Sequence, residues 1–143
     1  MRKSGILALL FVLIAALLCG CSSAVPKELE YDAAYPLGAA EYQMAVNHKL
    51  TPLITCLQPL ANAETVSEEM ATETLQRIDK VYEDVSRLNP PQDKAAYQAN
   101  LLSELSLAAE HMKYFAGQAD SSPSKPLSEV LSALEDLFRV SVN

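Results

Sequence analysis

From about Ala39 onward, apolar residues recur every three or four positions, and no stretch of convincing length alternates with period two. A repeat near 3.6 residues lays one apolar stripe along a helix, whereas a half-buried strand needs strict alternation. Glycine is nearly absent from the same region: after Gly38 only Gly117 remains. The chain beyond position 38 therefore reads as helical throughout, in four segments.

The first segment runs from about Ala39 to Ala63, with Ala39, Tyr42, Val46, Leu50, Leu53, Leu57 and Leu60 on its stripe. Pro52 lies inside it. A proline there removes the hydrogen bond to the His48 carbonyl, and its ring crowds that carbonyl. Either the helix kinks, or it stops and restarts with Thr51 as N-cap and Pro52 in the first turn. The stripe stays in phase across Pro52, which favours a kink. Pro59 should disturb the last turn.

The second segment runs from about Ser67 to Leu88. Thr65-Val66-Ser67-Glu68 is a capping-box pattern, and Glu68 and Glu69 suit the positive end of a helix. Ala71, Leu75, Ile78, Tyr82, Val85 and Leu88 form the stripe. Glu73, Arg77, Asp79, Lys80, Glu83 and Arg87 occupy the other face, as a solvated face should. Asn89-Pro90-Pro91 ends the segment, because a residue before proline avoids the helical basin.

The third segment runs from about Gln92 to Ala119, with Leu101, Leu105, Ala108, Met112 and Phe115 inward and Ala109 and Ala116 permitting close approach. The polar, proline-containing run from Asp120 to Pro126 forms a turn. The fourth segment runs from about Leu127 to Val140, with Leu127, Val130, Leu131, Leu134, Leu137 and Phe138 inward. Four amphipathic helices with tight connections predict an all-α, up-down four-helix bundle, its first helix kinked at Pro52. A dimer of helical hairpins is the rival arrangement.

The N-terminus follows different rules. Arg2 and Lys3 precede an uninterrupted apolar run, Ile6 to Leu18, and small residues and cysteine follow. That order is the layout of a secretory signal peptide. The run is short for a transmembrane helix, which needs about 20 residues to cross roughly 30 Å of hydrocarbon. Leu18-Cys19-Gly20-Cys21 then resembles the lipobox of bacterial lipoproteins. Leu18, Gly20 and Cys21 match the pattern, and Cys19 departs from the usual Ala, Ser or Thr. The resemblance implies a diacylglyceryl group on the Cys21 sulfur and cleavage before Cys21. A Cys-x-Cys metal or redox site is the competing reading, but it supplies too few ligands for a closed zinc centre. The helix, Pro-Pro, helix hairpin is also loosely similar to those of small helical bacterial lipoproteins, and that likeness implies no activity.

This reading divides the chain into a signal peptide (1–20), a lipidated cysteine with a tether (21–37), and a helical domain (38–143). Ser22, Ser23, Pro26 and Pro36 favour extended chain in the tether, which stretched out spans about 50 Å. Removing residues 1–20 takes Arg2 and Lys3 with it, so the formal net charge of −7 becomes −9. An acidic surface argues against nucleic acid, whose affinity comes from neutralised phosphates. It equally argues against electrostatic adhesion to anionic lipid, leaving the acyl chains on Cys21 as the membrane contact. By the resemblance the protein sits on the extracytoplasmic side of the bacterial cell membrane. Ser22 lacks the Asp associated with inner-membrane retention, so with two membranes the outer one is compatible. Cys56 is the one thiol left over, with burial the ordinary expectation for it.

Nothing in the motifs points to an enzyme. A Gly-rich phosphate loop, G-x-S-x-G and H-E-x-x-H are all missing. Adjacent carboxylates such as Glu68-Glu69 and Glu83-Asp84 lie about 100° apart on a helix and do not converge. His48 is expected opposite the apolar stripe, and His111 at the edge of the third stripe beside Met112. Neither supplies a Glu-x-x-His pair, so no metal or other cofactor is expected. Leu107, His111 and Tyr114 share a side of the third helix away from its main stripe. Packing against a neighbour is the ordinary expectation for them, and an exposed cluster would be a partner-binding surface. The functional expectation is a non-enzymatic lipoprotein that binds another envelope protein or serves as a surface component. The alternative is a small-ligand or cofactor-binding bundle, sensory in role, with a pocket bordered by Tyr82, His111 and Met112.

Overall fold

The structure is a computed structural model, and it describes residues 37–140. These residues are all-helical, with no strand among them: α1 (Ala39–Ala61), α2 (Glu68–Ser86), a 3-10 turn (Gln92–Lys94), α3 (Ala95–Phe115) and α4 (Leu127–Val140). Helix α1 packs on α2 and α4, and α3 packs on the same two helices. The core lies between them, with Tyr42, Leu50, Leu57, Ile78, Leu101, Leu105, Met112 and Leu134 fully shielded from solvent. None of the described helices is long and apolar enough to cross a membrane.

Helix α1 runs without a break through Pro52 and Pro59. The restart at Thr51 does not occur. The Thr51 hydroxyl instead donates back to the Asn47 carbonyl at 2.8 Å, and Thr55 donates to the Thr51 carbonyl at 3.0 Å. An interior proline costs about 3 kcal/mol. Leu53, Ile54, Leu57 and Leu60 are all buried beyond Pro52, and each contributes about 1.5–3 kcal/mol. Burial therefore outweighs both prolines, whose own rings are exposed. The helix stops at Ala61, two residues before the expected end, where the Asn62 side chain turns back to donate to the Gln58 carbonyl at 3.0 Å.

The ends of the other helices have equally specific causes. Ser67 caps α2, its hydroxyl accepting the Met70 N–H at 3.2 Å. The cap is thus Ser67 and not Thr65. The far end of α2 is closed by a residue of the next helix. Buried Gln98 donates its side-chain amide to the Val85 carbonyl at 2.6 Å and the Leu88 carbonyl at 3.2 Å. Residues Gln92–Lys94, expected as α-helix, form the 3-10 turn. Helix α3 ends at Phe115 and not Ala119. Gly117 takes φ +66, and the Gln118 N–H reaches the Lys113 carbonyl at 2.8 Å while Gly117 N–H reaches the Tyr114 carbonyl at 3.1 Å. That is a Schellman closure, which favours glycine at the left-handed position.

The expected stripes need two corrections. Tyr82 is 40% exposed, and Val81 and Thr74 fill the interior of α2 instead. Ala39, placed on the α1 stripe, is exposed. Tyr42 is fully shielded, meets Tyr97 edge-on at 6.3 Å, and leaves its hydroxyl without a hydrogen-bond partner.

Two outcomes follow from these contacts. Gln98→Ala leaves the Leu88 carbonyl without this donor, while the Val85 carbonyl keeps the Leu88 N–H, and lowers the unfolding free energy by about 1–3 kcal/mol in urea titration. Burial, with Tyr97 adding to it, pushes the Tyr42 phenol above its usual value. The folded protein therefore keeps that proton where the unfolded chain, near about pH 10, releases it. Stability from this group is complete below about pH 10 and lost as pH rises further. Tyr42→Phe removes the unpartnered hydroxyl, so it holds or raises the melting temperature at neutral pH and flattens the alkaline loss.

Candidate functional site

Leu107, His111 and Tyr114 are brought to one side of α3 by their spacing, but they do not share one environment. Leu107 is half-buried against the core, His111 is 3% exposed and Tyr114 is 40% exposed. The three therefore do not form a continuous exposed surface. The His111 ring lies stacked near Phe115, with centroids 6.0 Å apart, and Phe115 in turn meets Tyr114 at 5.8 Å.

The imidazole has a structural task. Its Nε2 lies 2.7 Å from the Lys125 carbonyl oxygen. A carbonyl only accepts, so Nε2 carries the hydrogen in this pairing. Two turns earlier on α3, Glu104 accepts from the Lys125 ammonium through both carboxylate oxygens, at 2.9 and 2.8 Å. Both groups of this ion pair are largely shielded. Lys125 is thus gripped by main chain and side chain at once, one residue before Pro126. The Pro126 carbonyl then accepts the Glu129 and Val130 N–H groups at the start of α4. The α3 residues expected to form a partner site instead fix where α4 begins. No motif marked Lys125 or Glu104 in this role, because their partnership crosses 21 residues. The second ring nitrogen of His111, Nδ1, is buried and has no hydrogen-bond partner.

Cys56 is half-buried, with Sγ 3.7 Å from the Thr74 hydroxyl and 4.0 Å from an Arg77 guanidinium nitrogen. It sits in the α1–α2 interface, in keeping with a packing role. His48 is exposed, as its place opposite the stripe implied. Among the described residues no group of three or more His, Cys, Asp or Glu is placed to hold a metal ion. Cys21 and the tether up to position 36 lie outside the described residues.

Shallow clefts run between the described helices. One of about 160 Å³ lies between α2 and α3 and includes Tyr82. Others of about 360 Å³ and about 300 Å³ flank α4 on its α3 and α1 sides. Neither His111 nor Met112 lines any of them. No protein-family description, curated protein or solved structure matches the chain.

Replacing His111 by Phe keeps the aromatic stack and deletes the donor to Lys125. The helical circular dichroism of such a variant stays unchanged, and limited proteolysis cuts residues 117–126 several times faster than in the parent protein.

Proposed function

We propose that the protein is an extracytoplasmic bacterial lipoprotein whose helical domain binds another envelope protein and performs no catalysis. Residues 1–20 act as the signal peptide, Cys21 carries the lipid, and the chain to position 37 tethers the domain. The observation that carries the placement is Leu18-Cys19-Gly20-Cys21 directly after a charged start and an apolar run. One acyl chain binds a membrane only marginally, at about 0.8 kcal/mol per buried CH₂, while two hold it stably. A diacylglyceryl group therefore suffices without any spanning helix.

We read the helices as an up-down four-helix bundle with α1 bent at Pro52. The pairings that cross each interface favour it. Lys49 meets Asp84 at 3.0 Å while Cys56, two turns later, meets Thr74 and Arg77, so α1 and α2 run in opposite senses. Gln98 at the start of α3 meets the end of α2, and Gly117 lies near Glu68 at the start of α2. Gln58, late in α1, bonds Glu135 of α4 at 3.0 Å. The Leu37 N–H approaches the Asn89 carbonyl at 3.4 Å. Leu37 thus lies beside Asn89-Pro90-Pro91, and residues 62–67 and 116–126 lie at the other end of the helices.

An interaction role is favoured over interior ligand binding by how the interior is spent. His111, the residue best suited to hold a cofactor, is engaged with Lys125, and large aliphatic side chains fill the space between the helices. The anchor is tested by cell fractionation with Cys21→Ser. The parent protein labels with radioactive palmitate and sediments with membranes. The variant takes up no label and moves to the soluble extracytoplasmic fraction. Unchanged sedimentation together with absent label on the parent would contradict the anchor.

A further inference from the structure

The contact that fixes where α4 begins is made by a buried ring that can change its charge. His111 is 3% exposed. Among the described residues its one hydrogen bond runs from Nε2 to the Lys125 carbonyl, at 2.7 Å. With Nε2 carrying the hydrogen, a second proton goes to Nδ1, which is buried and has no hydrogen-bond partner. Histidine is the side chain that ordinarily changes charge between about pH 5 and 8. The surroundings hold no counter-charge for it. Among the described residues no carboxylate is ion-paired with the ring. Glu104 lies two turns back on α3, about 10 Å along the axis, and both its oxygens accept from the Lys125 ammonium. That ammonium is a positive charge on the same connection. The other charged groups around this end are Glu110 and Lys113 of α3, Asp120 of the connection, Glu129 of α4 and Glu68 of α2. All five are exposed, where water and salt screen them. The last turn of α1 holds none. The end carbonyls of α3 are already taken by the N–H groups of Ala116, Gly117 and Gln118.

We propose that the α3–α4 connection is an acid-sensitive latch: protonation of His111 releases the Lys125 carbonyl, and residues 117–126 loosen together with the first turn of α4. A charged ring donates to a carbonyl about twice as strongly as a neutral one. That gain falls short of the cost of holding an unpaired charge out of water. Once the connection swings aside, water reaches Nδ1 and the cost disappears. The open form therefore holds one proton more than the closed form, and acid favours opening. One proton changes that equilibrium by at most about tenfold for each pH unit. Opening also uncovers Leu127, which is buried at the start of α4 beneath the connection. The latch needs neither lipid nor partner and stands apart from the envelope role proposed above.

The test is amide hydrogen exchange of the isotope-labelled full-length protein in detergent micelles, from about pH 8 to about pH 5.5, above the range in which carboxyl groups ordinarily titrate. Rates are taken relative to an unstructured chain at the same pH. The reporters are Gln118, whose N–H bonds the Lys113 carbonyl, and Glu129 and Val130, whose N–H groups bond the Pro126 carbonyl. Their protection should fall about tenfold or more across the range. Tyr42 and Arg87, bonded at the other end of the helices, should keep theirs. His111→Gln keeps a neutral N–H donor and cannot take up the proton, so the fall should vanish. His48→Gln replaces an exposed ring and should leave the fall unchanged. In the parent protein the His111 ring signals should titrate with the same midpoint as the reporter amides, which keeps the test decisive if the glutamine variant misfolds. Flat protection, a fall that persists in folded His111→Gln, a fall lost in His48→Gln, or a His111 midpoint apart from that of the reporters overturns the proposal.

Discussion

Each of the four described helices buries its apolar face against two neighbours. In folded proteins most of a helix's stability comes from packing its amphipathic face and not from intrinsic propensity. Helix α1 shows the dependence most sharply, because it carries two prolines in its interior and remains continuous. Its leucines are shared between the α2 and α4 interfaces, so the packing that keeps α1 helical also defines where its partners lie. A cavity-forming change at Leu53 or Leu57 would act on the proline-weakened segment, where little intrinsic helix stability remains to absorb it.

Polar groups set the geometry that burial leaves open. Hydrophobic contact fixes which faces meet but is nearly indifferent to small slides along a helix. Gln98 removes that freedom between α2 and α3 by holding the end carbonyls of α2. Lys125, held by His111 and Glu104, removes it between α3 and α4. Both devices sit at connections, where unpaired backbone groups would otherwise be costly. The outer faces are then left to the charges, and most cations there are matched with a carboxylate.

How much of this is legible in the sequence depends on the range of the cause. The four helices are, since their stripes are local, and α4 matches its expected bounds. The early end of α3 is signalled by Gly117, the one glycine after position 38, although the polar run after it draws the expected end further on. Tyr82 falls on the expected stripe because Val81 lies only 100° away, and a pattern of three- and four-residue steps does not resolve neighbours at that angle. Gln98 and Lys125 carry no local mark at all, because their partners lie 10–21 residues away. The grouping of Leu107, His111 and Tyr114 is visible, but their burial is decided by a connection that folds back over them. The expected lipid site lies outside the described residues, so the case for it remains a sequence argument.

Membrane placement therefore turns on what is attached to position 21. The direct measurement is mass spectrometry of the N-terminal peptide from the membrane-associated protein of its native host. The expected result is a chain that begins at Cys21 and bears a diacylglyceryl thioether. A chain that retains residues 1–20, or that starts elsewhere with an unmodified cysteine, would contradict it.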